Sequence, residues 1–460
     1  MKKYSKYKAS GVVWLGEIPS DWNRYRIKFC FNSINGGVWG EDPIGDTNDI
    51  VCIRVADFDY THGVIDTSNF TTRNISPSEQ KSRLLKKGDL LIEKSGGGEL
   101  SPVGRVVKFD LDIKAVCSNF INRLNTKKQF NPDFLNYLNR YLYSRGITES
   151  CINQTTGIQN LKVGEFVSNV IFTPSRPEQH TIVRFLDYKT GQIDSFIANR
   201  QKQIELLKEQ KACIINNAVT KGINPNAKMK DSGIEWIGEV PEHWEILKLK
   251  YIIKTMASGV SVNSTDDPAE PFEFGILKTS CVYTGEFNPN ENKKILESEF
   301  DRMACQVKGN SIIMSRMNTP ELVGANGFVD KDYKNLFLPD RLWQTVFFKK
   351  AQIVPRWLSY FLASHRFRTL ISSLATGTSA SMKNITQEDV LGSSICLPTI
   401  KEQNEMLVFF ENETSIIDTL ISKYQKQIDL MQEYRTSLIS QAVTGKIDVR
   451  EWHPKKAVTA

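Results

Sequence analysis

Residues 232–244 read SGIEWIGEVPEHW, and residues 10–22 read SGVVWLGEIPSDW. The two share Ser, Gly, Trp, Gly, Glu, Pro and Trp at a constant offset of 222. A longer match follows each opening. RPEQHTIVRFLDYKTGQIDSFIANRQKQIELLKEQ (176–210) aligns with IKEQNEMLVFFENETSIIDTLISKYQKQIDLMQEY (400–434) at offset 224, and NNAVTKGI (216–223) continues onto SQAVTGKI (440–447). From Pro174 and Pro398 onward, 19 of 50 positions are identical, so the chain is two copies of one unit of about 220 residues.

The middles of the copies, 32–150 and 254–375, have diverged. Their echo is LLKKGDLLIEKSG (84–96) against QVKGNSIIMSRMN (306–318), where a Lys-Gly turn precedes an apolar run that ends on a basic residue. A shared frame implies one job done twice, and diverged inserts imply two targets. The inserts are rich in Val, Ile, Phe and Tyr, broken by Gly, Pro, Asn and Asp. Strands are predicted at DIVCIRVADF (49–58), RVVKFDLDIKAVC (105–117) and RLWQTVFF (341–348). NPDFLNYLNRYLYSR (131–145) and VPRWLSYFLASHRFRTLISSL (354–374) have helical spacing with Pro near the start. TTGIQN (155–160) and ATGTSASMKN (375–384) read as loops behind them, and KSGGGELSPVGR (94–105) as a flexible loop. Each insert is therefore a mixed α/β globule.

Frame segments 178–220 and 402–444 are long, charged and proline-free. Their apolar residues follow a rough heptad: Ile193, Ile197, Ile204, Leu207, Ile214 and Ala218, then Ile417, Ile421, Ile428, Met431, Leu438 and Ala442. The pattern breaks at matching places, Arg200 with Tyr424 and Lys211 with Arg435. Two equivalent long helices in one chain predict an antiparallel coiled coil. The expected fold is mixed α+β, with two globular domains separated by these helices and related by a pseudo-twofold duplication. A helix from Ile193 to Thr220 would be about 40 Å long, on the order of one turn of B-DNA.

The net charge of +7 and pI of about 8.8 suit a nucleic-acid binder whose positive charge is gathered on one face. Eight cysteines are scattered singly, with no CxxC pair, which indicates neither zinc nor disulfides. No run approaches the roughly 18 apolar residues of a membrane span, and the N-terminus lacks a secretory pattern, so a cytoplasmic location is expected. GxGxxG and GxxxxGK[ST] are missing from the sequence. So is the Asn/Asp-Pro-Pro-aromatic motif of adenine methyltransferases; FNPDF (130–134) and FNPNE (287–291) lack its second proline. Asp89 with Asp112, Ile113 and Lys114 has the residue types of a nuclease metal site, but DLDIK also alternates like an exposed strand and has no counterpart in copy two. The five histidines are dispersed and pair with no nucleophile. Two rival readings remain: a coiled-coil scaffold whose globules bind protein or RNA, and an enzyme fused from two nuclease-like halves.

The whole chain resembles the specificity (S) subunits of type I restriction–modification systems. The resemblance is carried by the paired SGxxWxGExPxxW openings, the Pro-x-x-x-Glu-Gln junctions (Pro174 to Gln179, Pro398 to Gln403), the two QKQI-containing helices, the AVTKG and AVTGK helix ends, and LPDRLW (338–343). It implies a first target recognition domain over 1–185, a long helix and linker over 186–228, a second recognition domain over 229–403, and a second long helix and tail over 404–460. It further implies a non-catalytic subunit whose domains each read half of a bipartite site in double-stranded DNA, with the helices setting the half-site spacing. The partners implied are two adenine-methyltransferase (modification) subunits and two restriction (ATP-dependent translocase/nuclease) subunits. S-adenosylmethionine, ATP and Mg²⁺ would be used by those partners, with no cofactor or metal in this chain. By analogy with recognition-domain loops, the candidate DNA contacts are Lys94, Ser95, Arg105, Asn119, Arg123, Thr156 and Gln159, and Lys278, Ser315, Arg316, Asn318, Arg341, Thr378 and Ser379. Trp14, Trp22, Trp236 and Trp244 read as packing anchors of the frame.

Overall fold

The computed structural model describes residues 2–98, 101–155, 158–379 and 382–454. The chain divides into two compact units, one of residues 1–200 and 426–460, the other of residues 201–425. The boundary falls inside both long helices, Arg176–Lys221 and Ile400–Val443. The four sequence segments are thereby regrouped: each unit takes one diverged insert and a stretch of both helices.

In the first unit a six-stranded sheet runs Phe31–Gly36, Ile121–Thr126, Asp89–Glu93, Val106–Phe109, Val64–Ile65, Phe58–Asp59. Asp89–Glu93 is buried at every position, which is why DLLIE reads as a run and not as an alternation. A second sheet pairs Asp49–Ile53 parallel to Ala115–Cys117. Ile53, Leu91, Val107, Phe109 and Ile121 share one core. The second unit repeats the skeleton. Ile253–Ser258, Leu342–Phe347, Ser311–Ser315 and Asn326–Val329 follow in the same order, and Gly275–Leu277 pairs parallel to Tyr333–Phe337. The inserts have diverged in sequence while keeping their strand pairing.

Several local expectations change. DIVCIRVADF is a strand only to Ile53; Asp57 then accepts the Arg54 backbone N–H at 2.7 Å and closes a tight turn. Between Val106–Phe109 and Ala115–Cys117 the DLDIK segment is a connection, not a strand. The 354–374 helix is broken at Ser364, whose ψ of 146° separates Pro355–Ala363 from His365–Leu374. The break lets Phe367 and Ile371 enter the same core as Trp357 and Phe361. The expected loops behind these helices are hairpins, Ile152–Thr155 with Ile158–Leu161 and Thr376–Ser379 with Met382–Asn384. The glycine-rich segment likewise begins as a strand, Ser95–Gly96.

The frame motifs make the same contacts twice. Glu178 accepts Trp22 Nε1 at 3.3 Å and the Tyr4 hydroxyl at 2.6 Å; Glu402 accepts Trp244 Nε1 at 3.3 Å and His243 Nε2 at 2.7 Å. Burial pushes the Glu178 carboxyl up, whereas at Glu402 burial is outweighed by the bonds from His243, Thr399 and Trp244, which hold it low. Trp22 and Trp244 are fully buried, Trp14 and Trp236 half-buried. Along the helices Ile193, Ile197, Ile204, Ile417, Ile428 and Leu438 are buried, and Leu207, Ile214, Ile421 and Met431 half-buried. The heptad breaks at Lys211 and Arg435 carry ion pairs: Arg435 with Asp194 in the first unit, and Lys211 with Asp418 at 2.8 Å in the second. The lower number on one helix meets the higher on the other in both, the order of an antiparallel pair. Among the described residues, no helix is long and apolar enough to cross a membrane.

Each helix ends on a left-handed glycine, Gly222 (φ +77°) and Gly445 (φ +69°). A Cβ on Gly445 would lie 2.4 Å from the Pro19 ring, while one on Gly222 would come no closer than 3.5 Å, to Trp244. Gly445→Ala is therefore expected to cost about 2–4 kcal/mol, against about 1–2 kcal/mol for Gly222→Ala, in urea unfolding.

Candidate nucleic-acid interface

Each unit builds the same ledge from a glycine. Gly37 lies so close to the 118–120 turn that a Cβ would be 2.1 Å from the Ser118 carbonyl oxygen; at Gly259 the distance to the Leu338 oxygen would be 1.6 Å. Only glycine lets the backbone pass here. Trp39 and Phe120 line one cleft in the first unit, and in the second Ser261 Oγ donates to Asp340, the residue before Arg341.

A basic residue at the end of the central strand anchors the ledge. The Lys94 N–H donates to the Phe120 oxygen at 2.7 Å, and the Lys94 oxygen accepts from Leu161 N at 2.8 Å. Arg316 repeats both bonds, to the Arg341 oxygen and from Ile385 N, each at 3.0 Å. The next residues pair with the hairpin, Ser95 with Asn160 and Gly96 with Gln159, then Met317 with Asn384 and Asn318 with Lys383. Strand end, turn and hairpin thus meet in one place per unit.

Lys94, Ser95, Asn119 and Gln159 are gathered there in the first unit. Asn119 is exposed, and Lys94 is half-buried with no ion-pair partner among the described residues. Ser95 Oγ donates to Asn160 Oδ1 at 2.6 Å. Gln159 is buried, its Oε1 accepting from Val103 N at 3.2 Å. Arg105 is not among them. Its Nε donates to the Tyr143 hydroxyl at 3.2 Å and its guanidinium lies 4.0 Å from the Tyr60 ring. Arg123 is buried and donates to Asp89 at 2.6 Å, so it belongs to the interior. Asp89 also accepts from Asn125 and the Lys86 N–H, each at 2.7 Å, which leaves it away from any metal-holding role with Asp112. No group of three or more His, Cys, Asp or Glu suited to a metal occurs among the described residues. Beneath Lys94, Glu93 is buried; burial pushes its carboxyl up, and Tyr60 donates to it.

In the second unit Arg341 is exposed on its turn, and Arg316 lies 5.9 Å from the Trp343 ring with its Nε buried and without a hydrogen-bond partner among the described residues. Asn318 Nδ2 donates to the Tyr283 hydroxyl at 2.7 Å and to Ser315 Oγ at 3.5 Å. Ser315 itself is fully buried, and Lys278 Nζ sits 4.0 Å from Glu291. Thr378 and Ser379 lie on the strand Thr376–Ser379, and Thr156 falls outside the described residues. The structure adds Arg54, which follows Asp49–Ile53 as Lys278 follows Gly275–Leu277, and is paired to Asp57 at 2.8 Å. It also adds the aromatic residues Trp39 and Phe120. Registering the two inserts on Gly37 and Gly259, an offset of 222, sets Trp39 opposite Ser261, while Arg54 and Phe120 fall out of that register and carry no such signal.

The ledges are repeated on one skeleton and differ in side chains. The family model of the type I restriction modification DNA specificity domain matches residues 19–206. The type I restriction enzyme EcoKI specificity subunit of Escherichia coli K12 is 24% identical over 94% of this chain and 90% of its own length. The MjaVIII specificity subunit of Methanocaldococcus jannaschii is 27% identical, over 80% of this chain and 81% of that one. A chain from a solved structure on the complex assembly and conformational transition of the type I R-M system shares the fold, with a TM-score of 0.65 at 15% identity, covering 94% of this chain and 99% of that one. By these likenesses the chain is similar to the specificity subunits of type I restriction–modification systems.

Arg123→Ala would strand the buried Asp89 carboxylate and is expected to destabilise the protein by about 3–5 kcal/mol. Lys94→Ala, at a position without an ion pair, is expected to stay within about 0.5 kcal/mol of the parent, both read by urea unfolding.

Proposed function

We propose that the two ledges read the two halves of one asymmetric, bipartite sequence in double-stranded DNA. The observation that carries this is the same backbone ledge built twice with different side chains at equivalent positions, Trp39 and Phe120 against Ser261 and Arg341. A duplicated backbone presents each half-site in the same way, and changed side chains read different bases. Both long helices contribute to both units, which supports a role in setting the half-site spacing. The chain acts without catalysis of its own, in the cytoplasm.

Chemistry then comes from partners: two methyltransferase subunits that use S-adenosylmethionine, and through them two restriction subunits that use ATP and Mg²⁺. Each unit offers an equivalent cleft to a like partner. One, of about 540 Å³, is lined by Ala212, Asn216, Ser364 and Arg368; the other, of about 530 Å³, by the equivalent Thr436, Ser440, Tyr141 and Arg145. Two equivalent clefts suit two copies of one subunit.

The decisive experiment is a genome-wide map of methylated adenines with and without the gene. Loss of one gapped, asymmetric motif establishes the function; an unchanged map overturns it for a host whose partner subunits are expressed. Exchanging residues 32–150 for another family insert is expected to change one half-site and spare the other, as read by the same map. Four residues inserted after Glu205, about 6 Å of helix, are expected to lengthen the gap while leaving both half-sites intact.

A further inference from the structure

The first unit holds a cleft of about 290 Å³ where Trp39, Val55, Ala56 and Phe120 meet Arg54, Ser95 and Ser118. Its walls are mostly apolar, in a ledge otherwise made of polar groups. Trp39 is 39% exposed and Phe120 47%. Large apolar side chains held open to water on a functional face mark a contact surface.

Both rings are presented on pinned backbone. The Trp39 ring is covered on one side by Arg73, whose guanidinium lies 4.7 Å from it, and Arg73 Nε donates to the Trp39 oxygen at 3.2 Å. Arg73 is further held by Asp42 and by the Gly40 oxygen. The Phe120 oxygen accepts from both Lys94 N and Ser95 N, at 2.7 and 3.2 Å. Trp39 and Phe120 thus reach the cleft from backbone that is held in place, and Ser95 shares its lining.

We propose that Trp39 and Phe120 clasp the 5-methyl edge of a thymine in the half-site read by the first unit, an inference that rests on the DNA-reading function above. Among the base edges of the major groove, the thymine methyl is the apolar group, and apolar side chains are what recognise it. A cleft with Arg54 in its lining suits a base edge flanked by phosphates. The equivalent positions of the second unit, Ser261 and Arg341, offer a hydroxyl and a cation, so the two units do not read the same base there.

The test uses the complex purified with its methyltransferase subunits, bound to duplexes carrying the mapped sequence. Each thymine is replaced singly by deoxyuridine, which removes only the methyl group. One replacement, in the half-site assigned to the first unit by the insert exchange, is expected to weaken binding about fourfold, the worth of one buried methyl. Phe120→Ala and Trp39→Ala are expected to weaken binding to the parent duplex and to lose the response to that uridine, whereas Phe120→Leu keeps it. The inference is overturned if no replacement matters while binding stays sequence-specific, or if both alanine variants keep the wild-type response. It is also overturned if the variants shed methyltransferase subunits with the methyl response intact, since the slot then holds protein. Binding no tighter than to random DNA would instead overturn the DNA-reading function itself.

Discussion

The Glu-Gln pair at the head of each long helix is the joint on which the rest of the molecule depends. Gln403 is fully buried, and its amide is spent completely: Oε1 accepts from Val354 N at 2.7 Å, and Nε2 donates to the oxygens of Pro398 and Gln352 at 2.9 and 3.1 Å. Gln179 does the same with Asn131 N at 2.8 Å and the Pro174 oxygen at 3.0 Å. A buried amide left short of partners costs on the order of 1–3 kcal/mol, so three chain segments have to arrive together or not at all. The neighbouring glutamate ties the tryptophan of the opening motif to the same point. One dipeptide thereby fixes the long helix, the last strand, the start of the insert helix (Pro132–Ser144 or Pro355–Ala363) and the chain opening relative to one another within each unit.

That economy explains what could be read from the sequence. The frame was legible because its contacts are made by specific side chains in specific roles: a Trp indole, a Glu carboxylate, a Gln amide, a left-handed Gly. Such positions tolerate little change, so two copies still match. The heptad breaks at Lys211 and Arg435 were legible as breaks, but their partners Asp418 and Asp194 were not. Nothing in a linear stripe says which carboxylate an opposed helix brings alongside.

The inserts were legible as mixed α/β and little more. Their skeleton is held by backbone pairing, which accepts many side chains, so Leu90 and Ile312 can occupy equivalent strand positions within otherwise unrelated sequences. The candidate residues divided on burial, which sequence alone does not give. Lys94 and Arg341 look no different in type from Arg105 and Arg123, yet Asp89 and a pair of tyrosines hold the latter two. Trp39 and Phe120 were passed over because an aromatic residue in a strand-rich segment reads as core. The glycine that holds each ledge to its turn is the signal that registers Trp39 on Ser261.

The regrouping of the chain also bears on the order in which it can be completed during synthesis. The second unit is one continuous stretch, 201–425, whereas the first needs residues from both ends. Trp452 closes over Phe185 and Tyr188 at 5.4 and 5.3 Å between ring centres, and Arg450 covers Tyr4 at 4.8 Å. Asp448 N reaches the Lys2 oxygen at 2.9 Å. Domains ordinarily finish in the order in which they emerge from the ribosome. Here the unit that emerges first finishes last. Its aromatic residues stay uncovered through the translation of more than two hundred intervening residues, and a nascent chain halted after 425 would carry a finished second unit and an unfinished first.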